Sequence, residues 1–243
     1  VTGPTGSGKT TTLYAGLSHI DRNQRNIVTV EDPVEYDLDG IGQVHVNTKT
    51  GLTFASGLRS ILRQDPDVVL VGEIRDLETA EIAIQASLTG HLVLSTLHTN
   101  TAIGAITRLQ DMGVDSYLIA SSLSGIMAQR LVRVLCNNCK KASPASEKEK
   151  NILGLPDDEE ITLSHHVGCA DCNQTGFRNR VGIFDLIVID SEIKTMIHNG
   201  ADEQSLLKAI RKNSPSILDK GLQRVRDGIT SLDEVLRVTL YDQ

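Results

Sequence analysis

The chain contains no tryptophan, and aromatic residues occupy only 3% of its 243 positions. Sequence-tolerant readers of single-stranded nucleic acid stack bases on aromatic side chains, and there is little here to build such a platform. A basic block is also missing: 24 Lys and Arg stand against 31 Asp and Glu, for a net charge of −7. A long phosphate-tracking groove therefore finds no support, although a local basic stripe formed in an oligomer stays compatible with that balance. No apolar run approaches the roughly 18 residues that cross a bilayer, and no secretory leader is visible. Cysteine occurs only as two Cys-x-x-Cys pairs. The remainder, 40% hydrophobic and 23% charged, is ordinary for a folded chain with one substantial core and a small appendage.

What is present begins almost at once. Gly3-Pro4-Thr5-Gly6-Ser7-Gly8-Lys9-Thr10 is a complete Gly-x-x-x-x-Gly-Lys-Thr phosphate loop, followed by Thr11. Its glycines let backbone N–H groups curl around phosphates, Lys9 reaches the terminal phosphates, and the Thr10 hydroxyl suits Mg²⁺. Thr10 to Ser18 reads as the start of the helix that follows. Only Val1 and Thr2 remain of the strand that should feed the loop, so the chain is expected to be a fragment of a longer protein. Use of ATP points to the cytosol.

The first 130 or so residues alternate strand-like and helix-like patterns, the rhythm of a parallel α/β sheet. Strands are expected at residues 26–30, 68–71 and 92–97. Asp76 can cap a helix whose Leu77, Ala80, Ile84 and Leu88 share a face, stopped by Gly90. Further helices are expected over Ala102 to Met112 and Ser116 to Arg130. The rhythm breaks from Cys136 to Cys172, which includes an acidic run from Asp157 to Glu160 and little apolar periodicity. Strand character returns from Arg180 to Ile189. The tail is expected to be helical, with Ser191 as one cap, Ser214-Pro215 opening another helix, and Ser231 and Glu234 as a capping box. These patterns divide the chain into an ATPase core at 1–132, a tetracysteine subdomain at 133–180 and a C-terminal strand and helical region at 181–243.

Hydrolysis needs more than a phosphate loop: it requires Mg²⁺ ligands and a group that positions water. In parallel sheets such groups stand at the carboxyl ends of strands. The first strand ends in Glu31, Asp32 and Glu35, the second in Glu73, and the third in Thr96 and His98. Taken singly, the acidic cluster could be a surface turn around Pro33, Glu73 a solvated acid, and His98 either a structural histidine or a phosphate sensor. His91 reads as structural. Phe54, Leu58, Ile61 and Leu62 define an apolar helical face, and Arg59 and Arg63 project together from the opposite side. That pair suits phosphate neutralisation, within one subunit or across to another, and equally an ordinary solvated face.

The pairs Cys136/Cys139 and Cys169/Cys172 match the two knuckles of a tetrahedral structural Zn²⁺ site. Disulfides are disfavoured in a cytosolic protein, and a redox Cys-x-x-Cys would not need two copies.

Together these motifs resemble the secretion ATPases of type II secretion and type IV pilus assembly, in the RecA-like P-loop superfamily. The resemblance runs over nearly the whole chain. It rests on the loop at Gly3 to Thr10, on Thr29-Val-Glu-Asp-Pro-Val-Glu35 (an Asp box), on Leu70-Val-Gly-Glu73-Ile-Arg75-Asp76 (a Walker B segment) and on Gly90 to Asn100 (a His box). It implies Mg²⁺ held with help from Thr10 and Glu73, Glu35 as the base orienting water with Glu31 second, and a role for His98. It further implies that Arg59, Arg63, Arg75, Arg108 and Arg180 gather near nucleotide or subunit boundaries. The tetracysteine insert is similar to that of the extension motors, and the tail from Ser214 to Gly221 and Ile229 to Thr239 looks most like the type II secretion branch; pilus assembly is the alternative. A homo-hexamer is implied, lying in the cytoplasm against inner-membrane platform proteins that it contacts mainly through a further N-terminal region. No nucleic-acid partner is expected. A DNA-handling RecA-like motor and a nucleotide-binding assembly module without turnover are the competing classes; scarce aromatics and negative charge weigh against the first, intact Lys9, Thr10 and Glu73 against the second.

Overall fold

The computed structural model describes residues 1–156 and 158–241, without the side chain of Tyr241. Asp157, the first residue of the acidic run, and the last two residues of the expected C-terminal region lie outside the described residues. The chain separates into two compact units: residues 1–128 with 186–213, and residues 129–185 with 214–243. This grouping differs from three consecutive domains, because the helical tail is shared between the units.

The first unit is built on parallel strands. Helix α1 (Lys9–Ser18) precedes β1 (Ile27–Glu31), β2 (Gly42–His45), α2 (Phe54–Ile61), β3 (Val68–Val71), α3 (Leu77–Leu88), β4 (Leu92–Ser95), α4 (Gly104–Asp111) and α5 (Ser116–Ser122). The sheet order is β2-β1-β3-β4, every pair parallel. Thr2 extends it with parallel bridges to Leu97 and Ala128. The short Val68-Val-Leu-Val71 run shows why a continuous apolar strand is needed there. Val68 and Leu70 pack with Leu13 and Leu17 of α1, whereas Val69 and Val71 pack with Leu58 and Ile61 of α2. Alternate side chains thus fill two different cores, one on each face of the sheet, which is what a parallel sheet covered by helices demands.

Local signals place the helices. Asp76 accepts a hydrogen bond from Thr79 N at 2.8 Å and so caps α3 as expected. Within that helix Ala80, Ala83 and Ile84 are buried, while Leu77 and Leu88 at its ends are exposed. His91 is structural: its Nδ1 lies 2.9 Å from Ala86 O and 3.1 Å from Thr89 Oγ1 at the helix C-terminus.

The expected helix from Ser116 to Arg130 is corrected. It ends at Ser122, and residues Gly125–Leu135 form β5 instead. Ser116 to Ser122 can hold a single helical face, but Ile126-Met-Ala-Gln-Arg-Leu-Val-Arg-Val finds backbone partners in a sheet, with Thr2 N donating to Met127 O at 2.8 Å. Tertiary pairing there overrides local helical preference.

β5 pairs with β8 (Phe177–Val188). Between them lie β6 (Lys141–Pro144), α6 (Glu147–Leu153) and antiparallel β7 (Thr162–His165). Helix α6 begins with a reciprocal capping box between Ser146 and Glu149, a signal that the scarcity of apolar residues had hidden. The tail comprises α7 (Ser191–His198), α8 (Glu203–Ile210), α9 (Ile217–Arg226) and α10 (Leu232–Leu236).

Three caps shift. Asp190, not Ser191, caps α7, accepting from Ile193 N at 2.9 Å. Ser216, not Ser214-Pro215, caps α9, in a capping box with Asp219. A carboxylate or hydroxyl one or two residues away supplied the competing acceptor in each case. At α10 only half the expected box forms: Ser231 Oγ accepts from Glu234 N, but the Glu234 carboxylate turns to arginines. Among the described residues no helix is long and apolar enough to cross a membrane.

Candidate nucleotide site and tetracysteine cluster

The phosphate loop adopts the backbone its glycines permit. Gly6 and Gly8 sit at φ 78° and 86°, where a Cβ would be strained, and this curl lets α1 start directly at Lys9. Helices α2, α3, α6, α7, α8, α9 and α10 each have a side chain hydrogen-bonded to their first-turn amides. At α1 the cap is Gly8, no side chain plays that part, and the first turn holds no acid. The amides and the positive end of the helix are left for an anion, so the residues present fit a nucleotide phosphate. Lys9 Nζ lies across the loop, donating to Gly3 O at 2.8 Å and Pro4 O at 3.1 Å. Ser7 is buried, Thr10 is half-buried in the first turn, and Thr5 and Thr11 are exposed.

Sheet order decides what stands next to the loop. The strand position of Thr2 adjoins the β4 extension at Leu97, β4 adjoins β3, and β3 adjoins β1. The ends carrying His98, Glu73 and Glu31 are therefore ranked side by side from the loop outward. Thr2, fully buried, holds the nearest neighbour: its Oγ1 donates to Leu97 O or Thr99 O (3.1 and 2.9 Å) and accepts from Thr99 N at 3.0 Å. His98 lies between the two residues so fixed. Thr96 Oγ1 donates to Gly72 O at 2.7 Å and Ile74 N donates to Thr96 O at 3.1 Å, which clamps the end of β4 to the turn bearing Glu73. Gly72 in turn lies so near β1 that a Cβ would stand 3.3 Å from Val30 O and Glu31 Cα.

Glu73, 8% exposed, has the Arg75 guanidinium at one carboxylate oxygen and the His98 imidazole near the other, and that second oxygen is buried without a hydrogen bond. Arg75 Nη2 is 2.5 Å from one oxygen and His98 Nε2 is 3.3 Å from the other. The bond to Glu73 raises the Arg75 pKa above its ordinary value, with Asp32 adding a smaller contribution. The structure thus brings Glu73, Arg75 and His98 together and sets Asp32 within their field.

The acids at the end of β1 separate in character. Glu31 is buried and accepts hydrogen bonds from the Tyr14 hydroxyl, from Thr29 Oγ1 at 2.6 Å and from Gln43 Nε2 at 3.2 Å. Glu35 is exposed on the following loop. Arg59 and Arg63 do lie on the exposed side of α2 and its terminal turn. Arg59 pairs with Glu78 at 2.6 Å, and Arg63 Nη1 donates to Arg59 O at 2.9 Å, so neither is engaged with the phosphate loop in this chain. Arg108 and Arg180 are exposed. Tyr14 and Gln43 went unnoticed in the sequence, and Thr2 was read there only as part of the strand feeding the loop; of these, only Tyr14, one helical turn beyond Thr10, carried a usable signal.

In the second unit the four cysteine sulfurs lie within 4.8 Å of one another. Neighbouring Sγ atoms are 3.7, 3.8 and 3.9 Å apart, far beyond a disulfide bond. Four thiolates about 2.3 Å from one ion at tetrahedral angles would be separated by about 3.8 Å, so the donor set fits zinc. Backbone amides supply the second layer: Gly168 N donates to Cys139 Sγ at 3.3 Å, and Cys169 N and Gly176 N each donate to Cys172 Sγ at 3.2 Å. Burial opposes ionisation of Cys172, but the amides of Cys169 and Gly176 outweigh it and bring the thiol down to about 6. Burial pushes Cys139 up to about 11.

The family described as Type II/IV secretion system protein matches residues 1–237. The chain belongs to that family. It is 59% identical over 239 residues to the Type II secretion system ATPase E of Vibrio cholerae, covering 98% of this chain and 48% of that protein. The Type II secretion system protein E of Aeromonas hydrophila is likewise 59% identical over 242 residues, 100% of this chain and 48% of its own. The chain thus spans about half the length of the curated relatives it matches. Among solved structures, the pilus retraction motor PilT with bound ADP superposes with a TM-score of 0.72 at 29% identity, over 98% of this chain and 60% of that one. The fold is that of a RecA-like P-loop ATPase with a tetracysteine element, as the sequence led us to expect.

Proposed function

We propose that this chain is the catalytic portion of a cytoplasmic motor that hydrolyses ATP to drive pseudopilus assembly and protein export in type II secretion. The observation that carries the reading is the ranked row of strand ends beside an uncapped phosphate loop, in which Glu73 is braced between Arg75 and His98. Relatives named for type II secretion at 59% identity support the secretion branch over pilus assembly.

In this reading Gly3 to Gly8 and the first amides of α1 wrap the phosphates, with Thr5, Ser7 and Thr11 completing the rim. Lys9 exchanges its loop carbonyls for terminal phosphate oxygens. Thr10 and Glu73 would hold Mg²⁺, which would supply charge neutralisation for the phosphates. His98, 3.3 Å from the Glu73 carboxylate and flanked by residues fixed on Thr2, senses the terminal phosphate. Glu35, exposed and unlike the hydrogen-bonded Glu31, orients the attacking water. Arg59 and Arg63 face outward from α2 and serve a neighbouring subunit of a homo-hexamer; Arg75 steadies Glu73. The motor acts at the inner membrane through platform proteins contacted by the remainder of the full-length protein, and no nucleic acid takes part.

Glu35→Gln in the full-length protein should bind ATP with unchanged affinity yet lose about a hundredfold or more in turnover, the scale of a lost general base. Turnover near wild type would remove Glu35 from that role. The cysteines hold one structural zinc. Metal analysis should find one zinc per chain, and stripping it should lower the melting temperature of the second unit while the nucleotide site still binds ATP. Absence of zinc from freshly purified protein would defeat this assignment.

A further inference from the structure

Beyond the groups that touch nucleotide, the first unit contains a buried polar cluster that none of those roles uses. Its centre is Tyr14, 1% exposed, on α1. Thr10 and Tyr14 are one helical turn apart, so they share a face of the helix that begins at the phosphate loop. The Tyr14 hydroxyl donates to Glu31, itself 3% exposed, at the end of β1. Burial and then Glu31 push the Tyr14 pKa well above its ordinary value, so the hydroxyl stays a donor, and the backbone amide of Glu35 opposes that shift from the other side. The Tyr14 ring meets the Tyr36 ring edge-on, with centroids 4.8 Å apart.

Gln43 on β2 completes the cluster. Its Nε2 lies 3.3 Å from the Tyr14 hydroxyl oxygen, 3.2 Å from Glu31 Oε1 and 3.3 Å from Tyr36 O, while its Oε1 accepts from Leu38 N at 2.6 Å. The loop that bears Glu35 is therefore gripped on both flanks. Glu31 precedes it and is fixed by Tyr14, Thr29 and Gln43; Tyr36 and Leu38 follow it and are fixed by Tyr14 and Gln43. The exposed acid sits on a backbone whose anchors are buried.

We infer that Tyr14 and Gln43 are positioning residues that set Glu35 relative to the phosphate loop, with the Glu31 carboxylate as their common anchor. The inference rests on the reading of Glu35 given above. Because Tyr14 belongs to the helix that receives the phosphates, it ties the acid to the same rigid element as Lys9 and Thr10. Glu31, a candidate base by its place in the sequence, becomes the fixed point against which Glu35 is aligned.

The test uses the full-length protein and ATP. Tyr14→Phe removes the hydroxyl and keeps the ring. It should lower kcat about tenfold to a hundredfold, the scale of a misplaced reacting group, with KM and the affinity for a fluorescent ATP analogue changed by less than about twofold. Placed on Glu35→Gln, Tyr14→Phe should add almost nothing, since residues acting through one group are non-additive. A full, additive loss in that background would overturn the inference, because Tyr14 would then act on the fold or on binding. Gln43→Ala loosens the loop while leaving the Tyr14 to Glu31 bond, and it decides the matter should Tyr14→Phe not fold. A folded Gln43→Ala with wild-type kcat would also overturn it. Failure of the Glu35 reading shows separately, as undiminished turnover in Glu35→Gln alone.

Discussion

Lys9→Ala is expected to reduce ATP turnover by the full-length protein at least about a hundredfold, the scale for losing one charge that meets developing phosphate charge. The physical case begins with the loop. Lys9 is the cation placed at its mouth, held by Gly3 O and Pro4 O, and α1 presents no acid in its first turn that could neutralise it. Alanine leaves the backbone amides in place, so ATP binding should weaken without vanishing while hydrolysis disappears. The variant should keep its melting temperature within a few degrees, since Lys9 contributes nothing to the apolar clusters around the sheet. Phosphate release assays on wild type and variant provide the measurement. Turnover within a few-fold of wild type would show that the phosphate loop is not the hydrolytic site.

Glu234→Ala should destabilise the second unit by about 1–3 kcal/mol, the scale of losing charge-assisted hydrogen bonds to a buried carboxylate whose arginine partners, 42% and 50% exposed, remain solvated. Its side chain is fully buried and receives Arg133 N at 3.0 Å, Arg133 Nη2 at 2.7 Å, and Arg237 Nε and Nη2 at 3.0 Å each. Arg133 also stacks over Phe177 at 4.2 Å, so the loss would reach the strand leading back from the cysteine cluster. Burial alone would raise the Glu234 pKa, but the bonds from Arg237 and Arg133 dominate and hold it at about 2. A depressed folded-state pKa stabilises the folded chain at pH values above the ordinary Glu range. That contribution then fades as pH falls from about 4.5 toward 2. Urea unfolding of wild type and Glu234→Ala at neutral pH should show a clear gap, and the gap should narrow through this acidic window. A gap that is absent at neutral pH, or unchanged by acid, would contradict the role given to Glu234.

The motifs legible in the sequence were those whose chemistry is local. A phosphate loop needs its glycines and lysine at fixed spacing, because one short curl of backbone must meet one anion. Paired cysteines need short spacing for the same reason, so the tetracysteine cluster could be foreseen while its N–H to sulfur bonds could not. Strands β1, β3 and β4 were visible as apolar runs ended by polar residues. The helix expected through Arg130 failed at Ser122 because Gly125–Leu135 is held by partners distant in sequence. Caps at α7 and α9 slipped by one or two residues because several adjacent side chains could serve as acceptors, and only the path of the chain selects among them.

The sequence was enough to show that the chain carries a glycine-built loop suited to a phosphate, holds two closely spaced cysteine pairs, and has acids and a histidine after successive strands. Each of those follows from residues close together along the chain. The tertiary structure alone decided which strand end stands next to which, and so joined Glu73 to both Arg75 and His98. It also separated two acids only four positions apart, sealing Glu31 among Tyr14, Thr29 and Gln43 while leaving Glu35 open to solvent. That distinction depends on which helix covers the end of β1, and long-range packing, not spacing, fixes it.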